Sequence, residues 1–275
     1  MTLTTTTPTP ALIATGVPRY VPVGNEVELF RAARREGLPV MLKGPTGCGK
    51  TRLVEHVAAE AGVPLFTVSC HEDMTASDLL GRYVLSGGET VWQDGPLTRA
   101  VREGGICYLD EIVEARQDAT VAIHSLADHR RELNLERRGG EVLRAAEGFQ
   151  LVISYNPGYQ SVLKDLKTST RQRMVAVELT YPSPEVELNI LRGEVDVRAE
   201  DAQALIRLGA AIRRLDDAGL REVASTRTLI TAACLIRAGI GFVDAATAAI
   251  AGTLTDDEGL RGGLVAMIAS YAPDA

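Results

Sequence analysis

The sequence has few aromatic residues and no long hydrophobic run. Aromatic residues make up 4% of its 275 residues, and Trp92 is the only tryptophan, so the core must be built from Leu, Val, Ile and Ala. No apolar run approaches the length that a membrane-spanning helix needs, and residues 1–8 lack the basic start and apolar block of a signal peptide. These absences predict a cytoplasmic protein without membrane insertion. Residues 1–20 are predicted to begin the chain as a disordered tail.

The sequence also lacks an excess of basic residues and any clustered cysteine pair. It contains 29 Lys and Arg residues against 36 Asp and Glu residues, which gives a net charge of -7 at pH 7. An acidic chain is a poor candidate for general binding to a phosphate backbone, so no nucleic-acid partner is expected. The four cysteines lie far apart, and we predict neither a zinc site nor a disulfide framework from them.

The most informative stretch is residues 44–51, which fills every fixed position of the phosphate-binding pattern G-x-x-x-x-G-K-[ST]. Apolar residues 39–43 predict a strand before it, and residues 52–61 predict a helix after it. This context favours a phosphate site over a glycine-rich turn with a chance lysine. Lys50 is expected to reach the β- and γ-phosphates, and Thr51 to hold Mg²⁺. The predicted loop residues are Gly44, Pro45, Thr46, Gly47, Cys48, Gly49, Lys50 and Thr51.

Two adjacent carboxylates, Asp110 and Glu111, end an apolar run that begins at residue 106 and reads as a buried strand. Asp110 is expected to bind Mg²⁺, directly or through water, as part of the nucleotide site. Glu111 is expected to polarise the attacking water, as a hydrolysing enzyme requires. The alternative is an acidic strand end that faces solvent. The apolar run and the phosphate loop upstream both weigh against it.

Four further residues are candidates for the same site. Asn156 follows a predicted strand and could orient the water or bind the γ-phosphate, although Asn-Pro at a strand end is often only a turn. Arg171 and Arg173 could reach the nucleotide of a neighbouring subunit, or could form surface ion pairs. Arg227 follows a predicted helix cap at Ser225 or Thr226 and could face the γ-phosphate of its own subunit, or simply be solvated.

Secondary-structure patterns divide the chain near Pro182. Residues 21–182 predict an α/β nucleotide-binding domain with a parallel sheet and two β-hairpins, at residues 82–92 and 132–143. Residues 118–128 predict a helix between those hairpins. Residues 183–275 show four or five helical patterns and no clear strand, so we predict a helical lid domain there.

Taken together, these motifs resemble the AAA+ ATPases. The two hairpins resemble those of the MoxR branch, and several long motifs resemble the CbbQ/NirQ/NorQ/GpvN family. Those motifs cover residues 38–51, 94–102, 108–116 and 152–160, and the match extends from about residue 23 to 182 and more loosely to the end. Met174 departs from the phenylalanine expected after the arginine, a mild change at a packing position.

The resemblance implies a ring hexamer with ATP at the subunit interfaces. It implies a partner with a von Willebrand factor A domain, similar to CbbO or NorD. It also implies a client enzyme that the pair activates, with ATP and Mg²⁺ as cofactors. CbbQ with CbbO reactivates inhibited Rubisco, and NorQ with NorD matures nitric oxide reductase. The opening segment, residues 19–30, is slightly more similar to NorQ, whereas residues 160–167 are slightly more similar to CbbQ, so both clients stay open.

Two functions of other classes stay open beside this one. A nucleic-acid motor is possible within the same superclass, although the acidic charge and the missing DNA-binding domain count against it. The second function is a scaffold that binds ATP without hydrolysing it. The presence of Glu111, Arg173 and Arg227 counts against a scaffold.

Overall fold

The computed structural model describes residues 16–156, 166–215 and 223–273. These residues divide into two compact units. Among the described residues, the first unit comprises residues 16–20, 24–44, 50–156 and 166–178, and the second comprises residues 21–23, 45–49, 179–215 and 223–273. Residues 45–49 of the phosphate loop therefore cluster with the C-terminal helices rather than with the strand that precedes them.

The first unit is built on a parallel sheet. Its strands and those of the hairpins are β1 (Val40–Lys43), β2 (Leu65–Ser69), β3 (Gly81–Ser86), β4 (Glu89–Asp94), β5 (Ile106–Asp110), β6 (Glu132–Leu135), β7 (Glu141–Arg144), β8 (Gln150–Tyr155) and β9 (Val175–Glu178). The sheet has the order β2-β5-β8-β1-β9, with every neighbouring pair parallel. Its central strands are almost continuously apolar because both faces are covered. The carboxyl ends of β1, β5 and β8 therefore lie side by side.

The described residues of the first unit also form six α-helices. They are α1 (Glu26–Arg35), α2 (Lys50–Ala61), α3 (Ala76–Leu80), α4 (Pro96–Glu103), α5 (Gln117–Ala122) and α6 (Thr168–Arg171). Helix α4 shows how the sequence sets such limits. Pro96 stands in its first turn, where its missing N–H costs nothing, and Gly104 ends it in the left-handed conformation at φ 80°.

The two predicted hairpins are confirmed. Strands β3 and β4 pair antiparallel, and Gly87 and Gly88 turn the chain between them at φ 60° and 88°, where a side chain would be strained. Strands β6 and β7 also pair antiparallel, across the turn that contains Gly139 and Gly140. Both hairpins stand apart from the parallel sheet as two-stranded ribbons.

The predicted helix over residues 118–128 is wrong in its length. Helix α5 ends at Ala122, and the chain continues in turns to residue 130. In these turns the N–H of His124 bonds to the carbonyl of Val121, three residues back, and the His124 carbonyl accepts a bond from the Arg173 side chain. Ile123 and Leu126 are buried at a spacing of three, which suits tight turns as well as a helix. The apolar periodicity was therefore real, but it does not distinguish the two structures.

The second unit is helical in its described residues. Its helices are α7 (Pro184–Glu194), α8 (Ala199–Arg213), α9 (Thr226–Arg237), α10 (Phe242–Ala246), α11 (Gly252–Leu254) and α12 (Glu258–Tyr271), with a π-helical turn at Thr247–Ala251. Side chains of Ser183, Ser225 and Asp257 cap α7, α9 and α12 by accepting backbone N–H bonds. Leu and Ala side chains from these helices form a separate apolar core. In the described part of the chain, each helix is too short or too polar to cross a bilayer.

Candidate nucleotide-binding site

The phosphate loop lies between β1 and α2, as the sequence predicted. Gly47 and Gly49 adopt φ of 73° and 101°, which only glycine adopts without strain. A Cβ at Gly47 would also lie 2.6 Å from Cβ of Ser225, within the second unit. Gly47 is therefore required both for its backbone conformation and for the close approach of the helix cap.

Lys50 begins α2 and is buried, with 8% of its surface exposed. Its Nζ atom donates a hydrogen bond of 2.9 Å to the Gly44 carbonyl at the other end of the loop. A buried ammonium group needs such partners, because burial without them is costly. The loop therefore holds a positive charge at the place where the motif predicts phosphate oxygens.

Asp110 is the last residue of β5, and its carboxylate accepts hydrogen bonds from two neighbouring hydroxyl groups. Tyr108 donates to Oδ1 over 2.7 Å, and the Ser154 hydroxyl donates to the same oxygen. Tyr108 also lies 3.5 Å from the Thr51 hydroxyl, measured between the two oxygens. Burial, and next the charge of Asp110, raise the pKa of Tyr108, so its hydroxyl stays protonated. The structure thus connects Thr51 with Asp110 through one phenol.

Glu111 has a strained backbone conformation. Its φ of 56° and ψ of 44° lie in the left-handed region, which costs a residue other than glycine about 1–3 kcal/mol. Two residues hold it there: its N–H donates to the Ser154 hydroxyl over 2.8 Å, and its Oε1 accepts a bond of 2.9 Å from Nδ2 of Asn156. Strain of this kind is concentrated at functional sites, so it supports a catalytic role for this carboxylate.

Arg171 and Arg173 lie at the end of α6 and in the short segment between α6 and β9. Arg171 ends α6, and Arg173 is exposed and donates a long bond of 3.4 Å to the His124 carbonyl. The His124 ring accepts or donates a bond of 2.7 Å with Thr170. Burial, then Lys167 and Arg173, lower the pKa of His124 below its usual value.

Arg227 is exposed in the first turn of α9, in the second unit. Of the two predicted caps, Ser225 and Thr226, the structure shows Ser225 in this position, since its Oγ accepts the Thr228 N–H over 3.2 Å. Cβ of Arg227 lies 3.4 Å from the place where a Cβ at Gly47 would stand. This position is next to loop residues 45–49, which belong to the same unit.

Sequence reasoning missed three residues that contact the site. Tyr108 and Ser154 lie within the predicted strands that precede Asp110 and Asn156. The signal that could have found them is a polar group two positions before Asp110 and before Asn156, since alternate strand residues share a face. Tyr181 lies next to the predicted division near Pro182. Its hydroxyl donates to the Thr46 carbonyl over 2.9 Å, and Arg213 lies over its ring at 4.3 Å.

The residues present fit a magnesium ion. Thr51 and Asp110 supply a hydroxyl and a carboxylate, the hard oxygen ligands that Mg²⁺ prefers. The described residues contain no cluster of three or more His, Cys, Asp or Glu side chains that could hold a metal. That is compatible with Mg²⁺ in a nucleotide site, where one or two protein ligands, phosphates and waters complete the coordination.

Both parts of the chain match models of known protein families. Residues 39–174 match the family described as "AAA domain (dynein-related subfamily)", and residues 187–271 match "CbbQ/NirQ/NorQ C-terminal". The denitrification regulatory protein NirQ of Pseudomonas aeruginosa is 58% identical over 87% of this chain and 92% of its own. Protein NorQ of Paracoccus denitrificans is 55% identical over 91% and 93%. Protein CbbQ of Hydrogenophilus thermoluteolus is 54% identical over 89% and 91%.

A solved structure shows the same fold. RuvB from Thermotoga maritima superposes with a TM-score of 0.55 over 86% of this chain and 72% of its own, at 16% identity. At that identity the likeness concerns the fold alone. Together with the AAA domain match, it confirms the predicted α/β core of the AAA+ type with a helical C-terminal region.

Proposed function

Because the chain belongs to the CbbQ/NirQ/NorQ family of AAA ATPases, we propose that it binds ATP with Mg²⁺ and hydrolyses it to ADP and phosphate. The observation that carries this proposal is the placement of Glu111. A carboxylate fixed by Asn156 at the carboxyl edge of the sheet, beside Asp110, has the geometry of a general base for water. A switch or scaffold that only binds nucleotide has no need of a strained, doubly held glutamate at this point.

Each remaining site residue has a role in this proposal. Loop residues 44–51 bind the phosphates through backbone N–H groups, and Lys50 supplies the positive charge. Thr51 and Asp110 hold Mg²⁺, which when bound would neutralise charge on the β- and γ-phosphates. Asn156 orients Glu111 and the attacking water. Arg227 contacts the γ-phosphate from its own subunit, beside Gly47.

We also propose that the protein works as a ring, in the cytoplasm and without nucleic acid. An arginine from a neighbouring subunit, Arg173 or Arg171, would complete each site, in keeping with the exposure of Arg173. A hexamer is the ring that the family resemblance implies. The net charge of -7 opposes binding to a phosphate backbone, which is why a protein client is favoured over a nucleic-acid one.

The proposed client is a metabolic enzyme, reached through a partner with a von Willebrand factor A domain. The hairpins β3–β4 and β6–β7 are the proposed coupling surface, because a nucleotide-binding core does not need them. The first hairpin exposes Tyr83, Leu85 and Val91, and the second exposes Val142, as apolar contacts for a partner. Maturation of nitric oxide reductase is the first candidate, since the relative NirQ is described as a denitrification regulatory protein. Activation of Rubisco is the second, through the likeness to CbbQ.

The ATPase proposal is tested by nucleotide binding and turnover of the purified protein. Lys50→Ala removes the cation of the loop and should abolish ATP binding in a calorimetric titration. Wild-type affinity in that variant would contradict the assignment of the loop. Wild type that binds ATP without turnover, alone or with partner, would make the protein a scaffold. Salt-sensitive stimulation of turnover by DNA would instead indicate a nucleic-acid motor.

The client is tested with the von Willebrand factor A domain proteins that accompany each candidate enzyme. Wild type is combined with each pair, and recovery of nitric oxide reductase or Rubisco activity is measured with and without ATP. A variant with the first hairpin shortened across residues 85–90 should keep basal turnover and lose client activation. Full activation by that variant would move the coupling surface to the helical domain.

A further inference from the structure

We propose that Tyr108 is a positioning residue that orients Thr51 and Asp110 for magnesium before the metal arrives. The proposal rests on the magnesium-dependent ATPase function proposed above, and it assigns a residue outside the phosphate loop and the carboxylate pair. The juxtaposition that carries it is one phenol hydroxyl in contact with both proposed metal ligands, at 3.5 Å and 2.7 Å.

The contact is made in the core of the protein, where side chains are fixed by packing, and not on the surface. Tyr108 is fully buried in the middle of β5, opposite Thr67 of β2 and Val152 of β8. A buried phenol needs a hydrogen-bond partner, and an aliphatic residue would fill a strand core without that need. Tyr108 and Asp110 are two residues apart and therefore lie on the same face of the strand.

The hydrogen bonds have a direction that suits metal binding. The phenol has one proton, and it donates that proton to Oδ1 of Asp110. The phenol oxygen is then left as an acceptor for the Thr51 hydroxyl, whose own lone pairs remain for a cation. Ser154 donates to Oδ1 as well, so both hydroxyls bond to the same carboxylate oxygen, and Oδ2 is the oxygen that would bind a cation.

Such outer contacts of metal ligands matter energetically. Removing a hydrogen-bond partner of a ligating group costs about 10–100-fold in metal affinity or activity. Tyr108→Phe removes only the hydroxyl oxygen and keeps the ring that packs in the core. We expect ADP affinity without magnesium, in the presence of a chelator, to stay within about twofold of wild type, since the loop binds the phosphates.

The test is a calorimetric titration of ADP with chelator and then at rising Mg²⁺, followed by ATP turnover at the same Mg²⁺ concentrations. In Tyr108→Phe the Mg²⁺ concentration needed for half of the metal-dependent gain in ADP affinity should rise about 10-fold or more. Turnover should recover towards wild type at saturating Mg²⁺. A higher Mg²⁺ requirement with an unchanged metal-free ADP affinity is a result that a packing defect does not produce.

Two sets of controls accompany this variant. Tyr271→Phe makes the same chemical change in α12 and should leave every quantity unchanged. Ser154→Ala should show a smaller rise in the Mg²⁺ requirement, which Ser154→Thr should reverse, because threonine restores the donor. Thermal unfolding of each variant checks that it is folded.

A wild-type Mg²⁺ requirement in Tyr108→Phe would overturn the inference while leaving the ATPase function intact. So would an equal loss of metal-free ADP affinity and thermal stability, which would make Tyr108 a structural residue. Failure of the wild-type protein itself to bind ADP or hydrolyse ATP would instead overturn the proposed function, and the inference with it.

Discussion

The side-chain amide of Asn156 donates a hydrogen bond of 2.9 Å to Oε1 of Glu111 and so joins the ends of two neighbouring strands. The second amide atom, Oδ1, is buried and has no partner among the residues that the structure describes. The Nδ2 bond therefore holds the carboxylate of the proposed base at the edge of the sheet. This pair is the basis of the first prediction.

Glu111→Gln should bind ATP with near wild-type affinity and hydrolyse it very slowly, because an amide cannot take a proton from water. Asn156→Ala should lower turnover by about 10- to 1000-fold, as loss of an aligning group does. If the two residues act as one unit, the double variant should be no slower than Glu111→Gln alone. Single-turnover hydrolysis measures all three. Additive losses would show that Asn156 acts on the phosphate independently of Glu111.

Arg173→Ala should bind ATP in its own site and fail to hydrolyse it, since its arginine acts on the neighbouring subunit. Mixing it with Lys50→Ala should restore part of the activity, because some interfaces in mixed rings pair an intact loop with an intact arginine. Turnover is measured over a range of mixing ratios. Arg171→Ala, treated in the same way, is the matched comparison. If Lys50→Ala restores the activity of Arg171→Ala but not that of Arg173→Ala, Arg171 is the residue that crosses the interface.

Gly47→Ala should weaken nucleotide binding strongly. The new Cβ would meet Ser225 at 2.6 Å, and the backbone φ of 73° would be strained by about 1–2 kcal/mol in addition. Gly87→Ala is the control, because Gly87 also has a positive φ, of 60°, but has open space around its Cβ position. ADP titration and thermal unfolding separate the two effects. Wild-type ADP affinity in Gly47→Ala would contradict the prediction. An equal loss of thermal stability in both variants would show that the contact with Ser225 adds nothing to the cost of the backbone conformation.

Stability should depend on pH through His124. Burial lowers its pKa in the folded protein, so the unfolded chain binds more protons once the pH falls to about the ordinary value of 6.5. The free energy of unfolding should therefore be constant above that value and decrease as the pH falls below it. Urea unfolding at pH 7.5 and 5.5 measures the change. His124→Gln keeps a partner for Thr170 and should show a smaller decrease; an equal decrease would assign the effect to other groups.

The sequence was sufficient for the parts of the site that are local along the chain. The phosphate loop and the Asp110–Glu111 pair could be located because each is a short motif that follows a buried strand. The contacts of Tyr108 and Ser154 could not, because they depend on which strands are neighbours and on their register. Only the pairing of β5 with β8 brings the Ser154 hydroxyl to Asp110 and to the Glu111 N–H.

The length of helix α5 was predicted wrongly for a different reason. The residues after Ala122 carry the apolar spacing of a helix, but the N–H of His124 bonds to the carbonyl of Val121, three residues back. Side chains buried at a spacing of three suit such tight turns as well as a helix, so the apolar pattern does not distinguish the two. Sequence periodicity predicted which side chains are buried there more reliably than it predicted the backbone that buries them.

The last prediction concerns Arg102, which connects the two hairpins. Its Nε donates to Asp94 at the end of β4 over 2.8 Å, and its Nη2 donates to Glu141 at the start of β7 over 2.9 Å. Arg138 adds a bond of 3.0 Å to Glu141 and lies 3.8 Å from Asp94. These charges are partly buried, so their interaction is stronger than that of an isolated surface pair. The network therefore links the end of β4 and the start of β7 to each other through Arg102 of α4.

Arg102→Met keeps the length and apolar stem of the side chain and removes both bonds. It should leave basal ATP turnover within about twofold of wild type, because the network contacts none of the proposed catalytic residues. Client activation should fall by about 10-fold or more, because two charged hydrogen bonds between α4 and the hairpins are lost. Arg144→Met is the matched control, since Arg144 pairs with Glu132 inside the second hairpin only and is 84% exposed. The measurement is paired, with turnover of the ring alone and then client activation with the partner present. Equal client activation by both variants would mean that the hairpins transmit motion separately, and a parallel fall in basal turnover would mean that Arg102 supports the core rather than the coupling.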